Sequence, residues 1–195
     1  MLIVIRHGQT AANAAGQLLG RADPPLTDAG RAQAAALAAA LPEPSLVVTS
    51  PLLRARQTAE CLAMPFEVDD RWTELDYGEF DEQTPGELPA GVWDRWRSDP
   101  SYRPPGGESL ADVGRRVRAA CDDLAPVAIE GHVVVVTHVS PIKAAVAWAL
   151  DAGDELAWRM YVGLASITRI AVSERGPLLR SFNEVAHLAP LERPE

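Results

Sequence analysis

Leu2-Ile3-Val4-Ile5-Arg6-His7-Gly8-Gln9-Thr10 opens the chain, and its reading decides the fold. Four apolar residues in a row, three of them β-branched, make a strand covered on both faces. That strand runs directly into an arginine, a histidine and a glycine. In open α/β sheets, ligands sit at the carboxyl ends of the strands. Arginine offers a fork of donors matched to phosphate geometry. An imidazole is a competent nucleophile near neutral pH and can carry a covalent intermediate. An arginine and a histidine side by side at a strand end point to a phosphoryl site built around a phosphohistidine.

Working outward, strands and helices alternate. After a loop from Gly8 to Leu26, Thr27 caps a helix running to about Ala40. Leu46–Thr49 reads as a second strand, followed by a helix over Leu53–Leu62 and a short strand at Phe66–Val68. Residues 70–108 read as irregular, with a small helix at Val92–Trp96. Ser109 and Asp112 form a capping box that opens a helix to about Leu124. Val133–Thr137 is the strongest strand signal of the chain. Pro141 suits the start of a helix over Ile142–Leu150. Ser166–Val172 and Leu178–Phe182 close the chain as a hairpin turning at residues 174–177. This order predicts an α/β fold, a three-layer αβα sandwich with a mainly parallel central sheet. A single domain over residues 1–195 is expected, with a small lid at about 81–108 and fraying at 190–195.

Composition narrows the function classes. The formal net charge of −9 opposes nonspecific binding to nucleic acid or an anionic membrane surface. An anionic substrate therefore needs a local positive pocket. Lys143 is the sole lysine, so arginine carries almost all the positive charge. Cys61 and Cys121 lie in alanine-rich helical stretches and read as buried thiols rather than a disulfide. Neither C-x-x-C nor H-E-x-x-H occurs, so no metal site and no cofactor are expected. A core strand at the very start and no apolar run of about 20 residues argue against a signal peptide or a membrane span. A cytoplasmic enzyme acting on a small-molecule phosphate ester is the expectation.

Four segments carry the chemistry, each at or near a strand end: Arg6-His7-Gly8 with Asn13 downstream; Ser50-Pro51-Leu52-Leu53-Arg54-Ala55-Arg56; Trp72-Thr73-Glu74-Leu75-Asp76-Tyr77-Gly78-Glu79; and Val136-Thr137-His138. In this order and strand context the chain resembles the histidine phosphatase superfamily, also called phosphoglycerate-mutase-like, over nearly its whole length. The resemblance implies His7 as the nucleophile. It implies Arg6 and Arg54 as phosphate clamps, His138 as a second donor, and Glu74 as the acid that protonates the leaving oxygen. Asn13 and the backbone at Gln9 and Thr10 match supporting phosphate contacts. The family is often dimeric, and a homodimer stays open here.

The chemistry is consistent with those roles. Phosphoryl transfer spreads charge over equatorial oxygens, so positioned donors do most of the work. Two arginines and a protonated His138 could neutralise that charge without a metal. His7 needs a neutral nitrogen, so its other nitrogen should donate to a fixed acceptor such as a backbone carbonyl. Competing readings exist for several residues. Arg56 rivals Arg54, Asp76 and Glu79 rival Glu74, His132 and His187 read as structural or solvated, and Trp93 and Trp96 either stack on substrate or pack a lid helix.

Two departures from the family pattern stand out. The second histidine is commonly followed by two glycines, but here by Val139-Ser140-Pro141; the Val139 amide is still expected to bind phosphate. Gly78-Glu79-Phe80-Asp81-Glu82 replaces G-x-W-x-G, which alters the local loop. Pro105-Gly106-Gly107-Glu108-Ser109 resembles the G-E-S element of the small phosphatase branch, which includes α-ribazole-phosphatase-like and broad acid phosphatases. Residues 81–108 are short and acidic in balance, unlike the long basic insertion of cofactor-dependent mutases. A phosphomonoesterase is therefore favoured over a phosphoglycerate mutase. A non-catalytic phospho-ligand-binding protein is the reading from a different class.

Overall fold

Apolar runs pair with apolar runs. In the computed structural model, which describes residues 1–191, Leu2–Arg6 (β1) lies in parallel beside Val133–Thr137 (β4), residue for residue from Leu2 with Val133 to Arg6 with Thr137. Leu46–Thr49 (β2) flanks β4 in parallel, and the two-residue strand Glu67–Val68 (β3) flanks β2. On the other side Ile167–Ser173 (β5) runs antiparallel to β1, and Gly176–Glu184 (β6) completes the hairpin. The strand order is β3-β2-β4-β1-β5-β6.

Side-chain alternation sorts the core into two faces. Leu2, Val4, Val48, Val133 and Val135 join one apolar cluster. Ile3, Ile5, Val47, Val134 and Val136 join the other. The first face is covered by Leu110–Glu130 (α5) and Val139–Ala149 (α6), through Val113, Val117, Cys121, Ile142 and Ala145. The second is covered by Asp28–Ala40 (α2) and Leu53–Glu60 (α3), through Leu37, Ala55 and Ala59. Each fully buried Val or Ile in these layers is worth about 1.5–3 kcal/mol. The result is the expected αβα sandwich with a mainly parallel sheet.

This topology also says where a ligand belongs. The chain leaving β1 enters the α2 face, whereas the chain leaving β4 enters the α6 face. Neighbouring parallel strands whose connections depart to opposite faces leave a crevice at their carboxyl ends. Arg6, His7 and His138 stand there.

Several expectations need correction. The loop after Gly8 contains a four-residue helix, Ala11–Ala14 (α1), capped by Thr10 and Asn13. Helix α5 continues six residues beyond Leu124, through Pro126 to Glu130. Pro126 faces solvent, where the carbonyl it leaves unbonded reaches water, while Ala128 one turn face away is buried. The segment 70–108 holds 3₁₀ turns at Asp70–Trp72 and Gly78–Phe80 and the helix Val92–Ser98 (α4). Further 3₁₀ turns at Asp154–Arg159 and Ala186–Leu191 had no sequence signal. The expected fraying at 190–195 falls largely outside the described residues. Cys61 and Cys121 are free thiols; Cys121 is buried as expected, whereas Cys61 is only half-buried. No helix among the described residues is long and apolar enough to cross a membrane.

Candidate active site

Backbone pairing extends one residue past each central strand and so sets the site. The His7 N–H donates to the Thr137 carbonyl at 2.9 Å, and the Ser50 N–H to the Val136 carbonyl at 3.0 Å. Residues 7, 50 and 138 thereby meet at one edge of the sheet. Helix α2 locks the turn from outside. A Cβ on Gly8 would stand 2.3 Å from the Gly30 carbonyl oxygen, and one on Gly30 would stand 2.1 Å from that of Gln9. Only glycine at both positions permits this approach.

His7 is 3% exposed, and its Nδ1 lies 2.7 Å from the Gly8 carbonyl oxygen. A carbonyl only accepts, so Nδ1 carries the proton and Nε2 keeps its lone pair. Burial, then Arg54 and Arg6, hold the ring well below the ordinary histidine pKa. The ring is therefore neutral near neutral pH. The His138 ring lies 5.0 Å away, centroid to centroid, with Nε2 2.7 Å from the Ser50 hydroxyl. Burial, Arg54, His7 and Arg6 push its pKa well down too. These charges hold His138 neutral, and an incoming anionic phosphate works in the opposite direction.

The two guanidiniums are held by carbonyls. Arg6 Nη1 donates to the Val162 carbonyl at 2.7 Å. Arg54, fully buried, donates from Nη1 to Ala22 at 2.8 Å and from Nη2 to Gly20 at 2.9 Å and Leu19 at 3.3 Å. Asp23 stands 3.7 Å from its Nη1. Desolvation draws both guanidinium pKa values down, with Glu74 opposing, but both stay charged. Arg56, by contrast, is exposed. Arg6 Nε, Arg54 Nε and His138 Nδ1 are buried with no hydrogen-bond partner among the described residues. Such atoms cost free energy unless something binds them.

Glu74 is 3% exposed, while Asp76 is half-buried and Glu79 exposed. Its carboxylate accepts from Leu75 N–H at 2.8 Å, Val139 N–H at 2.9 Å and Ser140 N–H at 3.0 Å. The last two belong to the first turn of α6, a place that favours anions. The Thr137 hydroxyl, donating to the Trp72 carbonyl, ties this segment to β4. The backbone amides expected to bind phosphate are spent elsewhere. Val139 N–H serves Glu74, Gln9 N–H donates to Gln33 Oε1 at 2.9 Å, and Thr10 N–H donates to Asn13 Oδ1 at 3.1 Å. Asn13 retains only its amide nitrogen for a ligand. His132 sits at the opposite end of β4, and His187 is paired with the Ala165 carbonyl at 3.0 Å.

Four supporting residues escaped sequence reasoning. Ser50 holds His138; as the first residue after β2, it had a strand-end signal. Asp81 accepts from the N–H groups of Gly20, Arg21 and Ala22 at 2.6, 2.8 and 2.8 Å. It thus ties down the loop whose carbonyls hold Arg54. Arg116, paired with Glu108 at 2.9 Å, donates to the Glu74 carbonyl at 3.2 Å. Lys143 stands one turn along α6 from Glu74's amides.

Comparison with known proteins places the chain in a family. The chain is 40% identical over 178 residues, 86% of its length, to a bifunctional protein of Mycobacterium tuberculosis, and spans about half (49%) of that relative. It is 30% identical over 198 residues to phosphoserine phosphatase 1 of Hydrogenobacter thermophilus, covering 96% of this chain and 93% of the relative. Among solved structures, a phosphoserine phosphatase mutant from Entamoeba histolytica in complex with phosphoserine superposes with a TM-score of 0.89, at 27% identity, covering 96% of this chain and 98% of that one. A mycobacterial glucosyl-3-phosphoglycerate phosphatase in complex with VO3 gives 0.84 at 32% identity, covering 94% and 98%. The family model for the histidine phosphatase superfamily (branch 1) matches residues 2–185. This chain therefore belongs to branch 1 of the histidine phosphatase superfamily.

Proposed function

We propose that the chain is a phosphomonoesterase that hydrolyses a small phosphorylated metabolite through a phosphohistidine on His7, without a metal. One observation carries this reading: a buried neutral imidazole whose Nδ1 is pinned to the Gly8 carbonyl stands among two arginines and a second histidine. Nε2 of His7 attacks phosphorus as the bond to the leaving oxygen breaks. Arg6 and Arg54 take the charge on the equatorial oxygens, and His138 and Asn13 add donors. Glu74 passes a proton, brought in by the monoanionic ester, to the leaving oxygen. It then takes a proton from the water that attacks the phosphohistidine, releasing inorganic phosphate and restoring His7. Segment 81–108 forms a lid within one domain and covers the leaving-group side. Its six carboxylates against three arginines suit release of a single phosphate better than retention of a bisphosphate.

Turnover of p-nitrophenyl phosphate at mildly acidic pH, with and without a chelator, tests the reading. Chelator-insensitive hydrolysis is expected, and His7→Ala should lower it by about 10⁴-fold or more. Retained turnover in that variant removes His7 from its role. Rapid conversion of 3-phosphoglycerate to 2-phosphoglycerate with a 2,3-bisphosphate primer would mark a mutase instead. Phosphate-ester binding without turnover would mark a binding protein.

A further inference from the structure

Beside Glu74 lies a cavity of about 140 Å³ whose walls come from segments far apart in sequence. Leu75, Tyr77, Trp93, Trp96, Trp158 and Lys143 shape it. Val139 and Ser140, which hold the Glu74 carboxylate, complete its inner end. The cavity therefore adjoins the two residues that hold the Glu74 carboxylate. Trp93 and Trp96 stack at 5.7 Å, and Trp158 meets both edge-on at 6.1 Å. An apolar cavity of about 150 Å³ accommodates a benzene-sized body.

The polar atoms of this wall are unusual in one respect. Lys143 makes no hydrogen bond or ion pair among the described residues, although it is half-buried. Trp96 Nε1 and Trp158 Nε1 are buried with no acceptor. All three are donors. Burial lowers the Lys143 pKa, with Glu74 opposing and Arg6 assisting, which is the signature of an ammonium lacking a close counter-ion. The two indole nitrogens expose no surface to the cavity, so it is the unpaired Lys143 ammonium that calls for an acceptor from outside the chain.

We infer that this cavity is the leaving-group subsite, and that it takes an alcohol with a single-ring-sized apolar body bearing a carboxylate, which Lys143 receives. The inference rests on the phosphomonoesterase reading and adds its substrate class. Lys143 acts as a specificity determinant, outside the reacting atoms.

Two measurements test it. In the first, wild-type kcat/KM is compared for 4-carboxyphenyl phosphate and phenyl phosphate, then again in Lys143→Met and Lys143→Arg. The carboxylated ester should be preferred at least tenfold. Lys143→Met should abolish that ratio chiefly through KM, and Lys143→Arg should restore most of it. In the second, 4-hydroxybenzoate is titrated against tryptophan fluorescence. Saturable quenching is expected in the wild type and not with phenol at the same concentrations. A wild-type ratio near one with no saturable quenching overturns the inference while leaving the phosphomonoesterase reading intact. So does a ratio that Lys143→Met leaves unchanged. Hydrolysis of neither ester refutes the phosphomonoesterase reading itself. In that case saturable quenching still upholds the carboxylate-binding cavity, and its absence overturns it. If Lys143→Met does not fold, Lys143→Gln takes its place.

Discussion

Arg54 and Lys143 are both half or fully buried cations on one crevice, yet their surroundings differ. Three carbonyls and a carboxylate within 3.7 Å hold the Arg54 guanidinium. Lys143 has no such partner among the described residues and faces indole rings. The first cation is fixed before substrate arrives, as preorganised charge stabilisation requires. The second has a partner only when a ligand brings one. On the proposed reading, the phosphoryl end serves one reaction and the far end chooses what the phosphate is attached to.

The sharpest way to break this contrast is Arg54→Gln. It removes a clamp and strands the carbonyls of Leu19, Gly20 and Ala22. A fall in kcat of about 10²–10³-fold is expected on p-nitrophenyl phosphate, the scale for losing one transition-state donor. The loss should appear equally with carboxylated and neutral esters, unlike that of Lys143→Met.

Asp81→Ala probes how far the fixed end is supported from outside. Freeing three backbone N–H groups loosens the loop that positions Arg54. We expect kcat/KM to drop by about tenfold and stability by about 1–3 kcal/mol, read by urea denaturation. Asp81→Asn, which keeps one acceptor oxygen, should fall between. An Asp81→Ala enzyme with wild-type kcat/KM would show that Arg54 stands without this tether.

The smallest effect concerns pH. His7 and His138 are held well below the ordinary value by burial and the neighbouring arginines. Below about pH 6.5 the unfolded chain binds protons that the folded chain refuses. Stability should therefore decline as pH falls from about 6.5 toward the lowered folded values, and be insensitive to these groups above it. His138→Gln should flatten this slope in urea midpoints measured between pH 7.5 and 5.5. An unchanged slope would mean that His138 titrates normally.

Much of this was legible in the residues. The β1 and β4 runs announce a two-sided strand, and Thr27 and Ser109 announce helix starts that the structure places where expected. Arg54 over Arg56, and Glu74 over Asp76 and Glu79, are separated by burial in the directions the motif implied. What stayed hidden is long-range. The tether from Asp81 to residues 20–22 joins positions 59–61 apart. Val139 N–H turns to Glu74 rather than to phosphate because a carboxylate 65 residues upstream reaches it. The run of α5 past Leu124 through Pro126 was hidden because pattern alone does not say which helical face meets solvent. The Thr10–Asn13 box was missed because Asn rarely fills its third position.

The scarcity of lysine has a practical corollary. Amine-directed acylating or reductive-alkylating reagents find one side-chain target in this chain, and it borders the crevice. Such a reagent becomes a footprinting tool: protection of that single amine by a candidate ester would report occupancy without any turnover being measured.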